Sequence, residues 1–324
     1  MDCIYDWFLW IFPKPATENQ PNEEDDITSS VYANESESAV SPGKGEESNI
    51  DHSTIEPLMP KENCIFSKNN PEKLALLIGI NYNTNEAEND DLNGCENDMN
   101  RLAFWVENSL SFNSEKIVKL DSVFATKENI INEIKKMVIF ANTHKNTELW
   151  FSYSGHGSNY DSATESDGKN EIICPSDYAA NGFISDDWLK NEFINKLPND
   201  CKMFVMMDCC HSGSNMDLPY CLNTDGWIES RNMTQETVNN INSMPKVIKL
   251  SGCLDEQVSM DYYNREMKEF QGAFTNAFMK SFENKVIISD HRNLNLFLRE
   301  SKFKQVSELA MSDPSMWSWR LCEE

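Results

Sequence analysis

Apolar residues recur along the chain in short continuous runs rather than in an alternating pattern. The first run, KLALLIGINY, closes on a segment that contains Gly79 and Asn81. Such a run is typical of a strand buried on both faces, as in a parallel sheet. The pattern predicts strands over Lys73–Tyr82, Lys116–Asp121, Thr147–Gly155, Lys202–Asp208 and Lys246–Gly252.

Segments with helical spacing lie between those runs. Apolar side chains three or four positions apart predict helices over CENDMNRLAFWVENSL, TKENIINEIKKMVIFANT, ISDDWLKNEFINKL and GAFTNAFMKSF. Thr126 and Ser185 stand at the expected N-caps of the second and third helices. Alternation of strands and helices indicates an α/β fold with a mostly parallel central sheet and helices on both faces.

The first 70 residues differ in composition from the rest. From Lys14 to about Asn70 the chain is rich in Glu, Asp, Ser, Asn and Pro, and it has too few apolar residues to fold alone. We expect a disordered acidic leader over residues 1–70 and a folded domain over 71–324. The aromatic stretch MDCIYDWFLWIF at residues 1–12 is predicted to dock on a partner or on its own domain.

The balance of charged residues excludes one class of function. The chain carries 28 Lys and Arg against 53 Asp and Glu, a formal net charge of -25. A nucleic-acid-binding protein needs a basic face, so that class is excluded. No apolar run approaches the roughly 20 residues that span a bilayer, so we expect no transmembrane segment.

The ten cysteines do not form a C-x-x-C pair. A structural zinc site is therefore not predicted. Because no secretory signal precedes them, we expect reduced thiols and a cytoplasmic protein.

Two predicted strands end in residues whose side chains can take part in catalysis. The segment YSGHGS places His156 between two glycines, and DCCHSGS places Cys210 at the end of a later strand. In a parallel sheet such strand ends meet at one edge, where ligands bind. A histidine brought next to a cysteine thiol can accept its proton, which is the arrangement of a cysteine nucleophile. Taken alone, His156 would more often be a surface histidine in a turn.

These motifs, together with GFISDDWL, SGCLDEQVSMD and GAFTNAF, resemble those of the metacaspases, which are caspase-like cysteine peptidases. The resemblance implies a caspase-like fold, with a large-subunit-like part over about 71–222 and a small-subunit-like part over about 245–324. It makes Cys210 the nucleophile and His156 the general base and acid. The backbone N–H groups of Gly157 and Cys210 would form the oxyanion hole.

The resemblance also implies an acidic specificity pocket. Metacaspases cleave after Arg or Lys, and the residues that match their pocket are Cys95, Asp98, Ser154 and Asp208. An incoming guanidinium would relieve the cost of the buried carboxylates. Without the resemblance, Asp98 would be read as an acid that caps or solvates its helix.

Activation by calcium is a further implication of the resemblance. Asp186, Asp187 and Asp217 match acids that bind calcium in the family. Asn170 and Glu171 stand where the family has an Asp-Glu pair, so one negative charge is missing and a lower calcium affinity is expected. The simpler alternative for Asp186 and Asp187 is that they complement the dipole at a helix N-terminus.

The leading interpretation is an endopeptidase that cleaves after Arg or Lys, is activated by calcium and processes itself. One alternative is a non-proteolytic scaffold or binding protein on a caspase-like fold, and another is a redox sensor that uses Cys209 and Cys210. Neither needs the full set of His156, Cys210 and pocket acids. Basic residues that could be self-cleaved are Lys14, Lys44, Lys61, Lys68, Arg231 and Lys246. The expected partners are protein or peptide substrates, and we expect a monomer.

Overall fold

A computed structural model describes residues 63–83, 91–161, 169–210, 212–213, 216–222, 228–230, 243–254, 260–265 and 267–323. The predicted leader up to residue 62, with its aromatic stretch, lies outside these residues, and so does Arg231. The boundary predicted at residue 70 is too late. Cys64–Phe66 already forms a buried strand, which pairs in parallel with Arg320–Cys322 near the chain end.

The strands are, in chain order, β1 (Cys64–Phe66), β2 (Lys73–Gly79), β3 (Ile117–Leu120), β4 (Glu148–Ser154), β5 (Gly157–Asp161), β6 (Lys169–Ile173), β7 (Ile184–Ser185), β8 (Lys202–Asp208), β9 (Tyr220–Leu222), β10 (Ile228–Ser230), β11 (Lys246–Ser251), β12 (Asp261–Asn264), β13 (Glu269–Gly272), β14 (Glu308–Met311) and β15 (Arg320–Cys322). Within the described residues, the main sheet has eight strands in the order β10-β9-β14-β11-β8-β4-β2-β3. The five strands from β3 to β11 pair in parallel, and β14, β9 and β10 add antiparallel pairs. The five apolar runs are confirmed as strands, and they form the parallel part.

The helices are α1 (Cys95–Leu110), α2 (Lys127–Thr143), α3 (Tyr178–Asn181), α4 (Asp186–Glu192), α5 (Ala273–Ser281) and α6 (Ile287–Glu300). The four predicted helices are confirmed as α1, α2, α4 and α5. Both predicted N-caps are also confirmed, because Thr126 accepts a hydrogen bond from Asn129 N–H at 3.3 Å and Ser185 accepts one from Trp188 N–H at 3.2 Å.

Helices cover both faces of the sheet. On one face, α1, α5 and α6 pack on Trp150 and Phe204 in a single apolar cluster. On the other face, Phe151 of β4 meets Phe193, which follows α4, with ring centroids 5.5 Å apart. Burial on both sides explains why the central strands read as unbroken apolar runs.

Several elements were not predicted from the apolar pattern. The antiparallel strands β5, β6 and β7, with sequences such as GSNYD and KNEII, form a small separate sheet next to the ends of β4 and β8. They are short and polar, so no apolar run marks them. Helix α6 buries Ile287, Leu294 and Leu298 along one stripe. Its many polar residues conceal that stripe in the sequence.

No helix in the described part of the chain is both long and apolar enough to cross a membrane. The cysteines among the described residues are all free thiols, and all of them are buried.

Candidate active site

The two motif-bearing strands lie side by side. β4 and β8 pair in parallel, with Ser154 opposite Asp208 at their carboxyl ends. Beyond that pair, Gly155 N–H donates to the Asp208 carbonyl at 3.2 Å. The segments that carry His156 and Cys210 therefore leave the sheet at the same edge.

Gly157, the residue after His156, shows how closely the two segments approach. A Cβ atom at Gly157 would overlap the Cys210 carbonyl oxygen and would lie 3.1 Å from Cys209 Sγ. Only glycine allows this approach. The structure thus brings the segments that carry His156 and Cys210 into contact, and the predicted roles of these residues stay predictions.

His156 is half-buried and stacks on a tyrosine that the sequence reasoning missed. The rings of Tyr82 and His156 are 4.5 Å apart with an interplanar angle of 29°. Tyr82 lies at the end of the KLALLIGINY run, and only its position three residues beyond β2 signalled a place at the same sheet edge.

The neighbouring cysteines have different environments. Cys209 is 1% exposed and Cys210 is 8% exposed. Burial, with smaller contributions from Cys253 and Cys210, raises the pKa of Cys209 well above its usual value. A thiol held neutral in this way is a poor nucleophile. The packing role expected for Cys209 agrees with its contact with Gly157.

The loop that follows Cys210 is anchored from strand β11. The fully buried Lys249 donates from Nζ to the carbonyls of Gly213 at 2.7 Å and Ser212 at 3.1 Å. Ser251 Oγ donates to the same Ser212 carbonyl at 2.6 Å. A buried ammonium group needs such acceptors. These contacts hold the loop at the edge of the sheet.

The four predicted pocket residues also lie together. Cys95 hydrogen-bonds to Ser154, and its pKa is raised well above its usual value, mainly by burial. The carboxylates of Asp98 and Asp208 meet at Gly272, where a Cβ atom would overlap Asp208 Oδ2 and lie 2.7 Å from Asp98 Oδ2. Gly272 precedes helix α5 and donates its N–H to Asp98 Oδ2 at 2.6 Å.

The charge of the pocket is only partly balanced. Burial and the neighbouring Asp208 raise the pKa of Asp98 well above its usual value, although Gly272 N–H and Arg101 oppose this shift. Arg101 Nη1 lies 3.7 Å from Asp98 Oδ1, which has no hydrogen-bond partner among the described residues. Asp208 Oδ2 accepts hydrogen bonds from Thr275 N–H and Oγ1–H at 3.2 and 2.7 Å.

A third acid lies beside this pair. Asp261, the first residue of β12, accepts hydrogen bonds from Asn93 N–H at 2.8 Å and Gly94 N–H at 3.1 Å, just before α1. Burial raises its pKa. The sequence reasoning missed four pocket residues. Asp261, Gly272 and Thr275 were missed because they reach the pocket from a distant part of the chain. Arg101 was missed because it contacts the pocket only through Asp98, which lies one turn earlier on α1.

The residues predicted to bind calcium lie on β6, α4 and the loop before β9. Asn170 Nδ2 donates to Asp187 Oδ2 at 3.0 Å. Burial and the charge of Asp217 raise the pKa of Asp186 to about 6. Asn170 Oδ1 and Asp186 Oδ2 are buried without a hydrogen-bond partner in the described part of the structure. Oxygen donors of this kind suit calcium.

A lysine is inserted into this group of predicted calcium ligands, called the outer cluster (Asn170, Glu171, Asp186, Asp187 and Asp217). Lys190 Nζ lies 3.1 Å from Asp217 Oδ2, and the two side chains are 20% and 8% exposed. In the described residues, no group of three or more His, Cys, Asp or Glu side chains is arranged to hold a metal ion. The donors therefore have the chemistry for calcium, but Lys190 and the Asn170 amide engage two of the acids.

The sequence of the chain matches known proteins across this region. Residues 73–219 match the family model of the metacaspase, peptidase C14 domain. Metacaspase-1 of Candida albicans is 31% identical over 312 residues, which cover 78% of this chain and 67% of that protein. The chain belongs to the metacaspase family.

A second relative agrees with this membership, and a solved structure shares the fold. Metacaspase-2 of Arabidopsis thaliana is 31% identical over 225 residues, or 65% of this chain and 52% of that protein. The crystal structure of a Geobacter sulfurreducens protein is similar in fold, with a TM-score of 0.54 at 24% identity, and it covers 77% of this chain and 98% of that one. Membership in this family makes the chain a cysteine-type peptidase with a caspase-like fold, as the motifs indicated.

Proposed function

We propose that this metacaspase is an endopeptidase that cleaves after Arg or Lys through a Cys210–His156 dyad and is activated by calcium. The observation that carries the proposal is the pocket. The paired carboxylates of Asp98 and Asp208 lie at the sheet edge from which the His156 and Cys210 segments emerge. A cationic side chain is the complement of such a pocket.

The reaction follows from the dyad. His156 takes the proton from the Cys210 thiol, and the sulfur attacks the carbonyl carbon of the scissile bond. The tetrahedral oxygen accepts hydrogen bonds from the N–H groups of Gly157 and Cys210. His156 then gives its proton to the leaving amine, and the C–N bond breaks to form a thioester. Water, deprotonated by His156, hydrolyses the thioester and releases the acid and the thiol.

Calcium would bind at the outer cluster. The ligands we propose are the oxygens of Asn170, Glu171, Asp186, Asp187 and Asp217. The ion supplies positive charge to carboxylates that are buried together. For this chain, binding requires Lys190 to leave Asp217 and the Asn170 amide to present its oxygen, which supports a low affinity.

Self-cleavage is best supported at one of the described basic residues. Lys68 lies in an exposed turn between β1 and β2. Lys246 instead begins β11, where it pairs with β8 and its Nζ binds Asp313. Cleavage there would require the central sheet to open, so we favour Lys68 over Lys246. The other four basic residues lie outside the described residues.

Fluorogenic peptides ending in Arg, Lys or Asp test this function, each assayed with and without calcium. We expect cleavage after Arg and Lys only, stimulated by calcium. The matched control is Cys210→Ala, with Cys209→Ala beside it. Loss of activity in the first and its retention in the second would assign the nucleophile, whereas cleavage after Asp would refute the pocket assignment.

A further inference from the structure

Tyr82 has an unusual backbone conformation for its residue type. Its φ is 59°, in the left-handed region that bulky residues rarely occupy. The side chain is fully buried, and the ring lies against His156 at 4.5 Å. A conformation of this cost persists only when its surroundings hold it, and such residues cluster at functional sites.

The hydroxyl of Tyr82 forms a closed set of hydrogen bonds with that of Tyr153. Tyr82 Oη accepts from His156 N–H at 2.9 Å and donates to the Cys174 carbonyl at 2.6 Å. Tyr153 Oη accepts from Cys174 N–H at 3.2 Å and donates to the His156 carbonyl at 2.8 Å. Tyr153 Oη also lies 3.0 Å from the Cys174 carbonyl and 3.0 Å from Tyr82 Oη, so the two hydroxyls and the two carbonyls form one network. Burial raises the pKa of both tyrosines, so both remain protonated donors.

These bonds also determine where the Gly157 N–H points. The His156 carbonyl and the Gly157 N–H belong to one planar trans peptide and point in opposite directions. The carbonyl is held by Tyr153 Oη and by Cys174 N–H at 3.1 Å. The Gly157 N–H therefore points away from the tyrosines and from β6. It is the N–H expected to stabilise the oxyanion.

We propose that Tyr82 and Tyr153 are positioning residues that orient two groups at once, the His156 imidazole through the Tyr82 ring and the Gly157 N–H through the His156–Gly157 peptide. The inference rests on the proposed dyad. The two effects are separable, because Tyr82→Phe keeps the ring and loses the hydroxyl, whereas Tyr82→Leu loses both.

The effect of losing either tyrosine hydroxyl is measured as a change in kcat. Active sites are counted with an arginyl chloromethyl ketone, so that kcat refers to competent enzyme. Tyr82→Phe and Tyr153→Phe should each lower kcat about tenfold with little change in KM, a part of the 10²–10³-fold that loss of an oxyanion donor costs. Tyr178→Phe is the matched control, since the Tyr178 ring packs edge-on against Tyr82 at 6.0 Å. It should retain wild-type kcat.

The effect of losing the Tyr82 ring is measured without a substrate, by alkylation of Cys210. The rate of Cys210 alkylation by iodoacetamide, followed by mass spectrometry over a range of pH, reports the thiolate that the imidazolium stabilises at low pH. Tyr82→Leu should lose most of the low-pH alkylation, Tyr82→Phe should retain it, and His156→Ala should lack it. Thermal unfolding verifies that each variant is folded.

The outcomes distinguish this inference from the dyad on which it rests. Wild-type low-pH alkylation equal to that of His156→Ala would overturn the dyad and the positioning role together. If those two proteins differ clearly, wild-type kcat in both Phe variants would overturn the role of the hydroxyls, and wild-type low-pH alkylation in folded Tyr82→Leu would overturn the role of the ring. If Tyr82→Leu is unfolded, the two Phe variants still decide the role of the hydroxyls.

Discussion

This metacaspase has two clusters of buried acids, and they are built differently. In the pocket, Asp98 and Asp208 are held by N–H groups at the start of α5 and by the Thr275 hydroxyl. In the outer cluster, Asp217 and Asp187 are engaged by two side chains, the Lys190 ammonium and the Asn170 amide, whereas Asp186 Oδ1 accepts a backbone hydrogen bond, from Asp187 N–H at 2.8 Å.

The difference indicates how each cluster would treat a cation. Backbone donors and a short hydroxyl keep the pocket carboxylates in place before any substrate arrives, which favours a fixed specificity site. A lysine is long and can leave, and an amide can turn to present its oxygen. The outer cluster is therefore suited to exchanging an internal cation for a calcium ion.

The largest effect is expected from removing a pocket charge. Asp208→Asn should lower kcat/KM for Arg peptides about 10²–10³-fold, because a buried guanidinium loses a charge-assisted partner. Asp186→Asn is the matched control. At saturating calcium it should leave the preference for Arg over uncharged residues unchanged. Equal losses in the two variants would show that the clusters are not functionally separate.

The raised pKa of Asp98 makes the pocket sensitive to pH. Below that pKa the carboxyl is protonated and the pocket has one negative charge fewer, so binding of a guanidinium should weaken as pH falls. Inhibition by agmatine, which has no scissile bond, measures this binding apart from the dyad. The Ki of agmatine should rise at low pH. An identical pH dependence in Asp98→Asn would assign the effect to another group.

Loss of an outer acid should act on calcium alone. Asp186→Asn is expected to weaken calcium binding about tenfold or more, since ligand charge tunes affinity at such sites. Terbium luminescence and calorimetry measure binding without an activity assay. Unchanged binding would mean that Asp186 serves only the N-terminus of α4.

The smallest effect is expected from removing the lysine of the outer cluster. Lys190→Met removes the internal cation and should tighten calcium binding about fivefold, the equivalent of about 1 kcal/mol for a partly exposed ion pair. Lys136→Met is the control, because Lys136 pairs with Glu133 at 2.7 Å on the exposed face of α2. Weaker calcium binding in Lys190→Met would contradict competition by Lys190.

Much of the fold and the centre of the site could be predicted from the sequence. The central strands are buried on both faces, so their apolar runs are unbroken and visible. His156 and Cys210 could be placed because each directly follows such a run. The small sheet of β5, β6 and β7 could not be predicted, because its strands are short and polar and depend on the groups they pack against.

The strands, the motif residues and, through them, the family could all be inferred from the sequence alone. Each of these depends on residues that are close together in the chain. The folded structure was needed to show that Tyr82 stacks on His156, that two carboxylates meet at Gly272 and that Lys190 reaches Asp217. Those contacts join residues far apart in sequence, or depend on one rotamer of a long side chain, and they arise from the order of strands in the sheet.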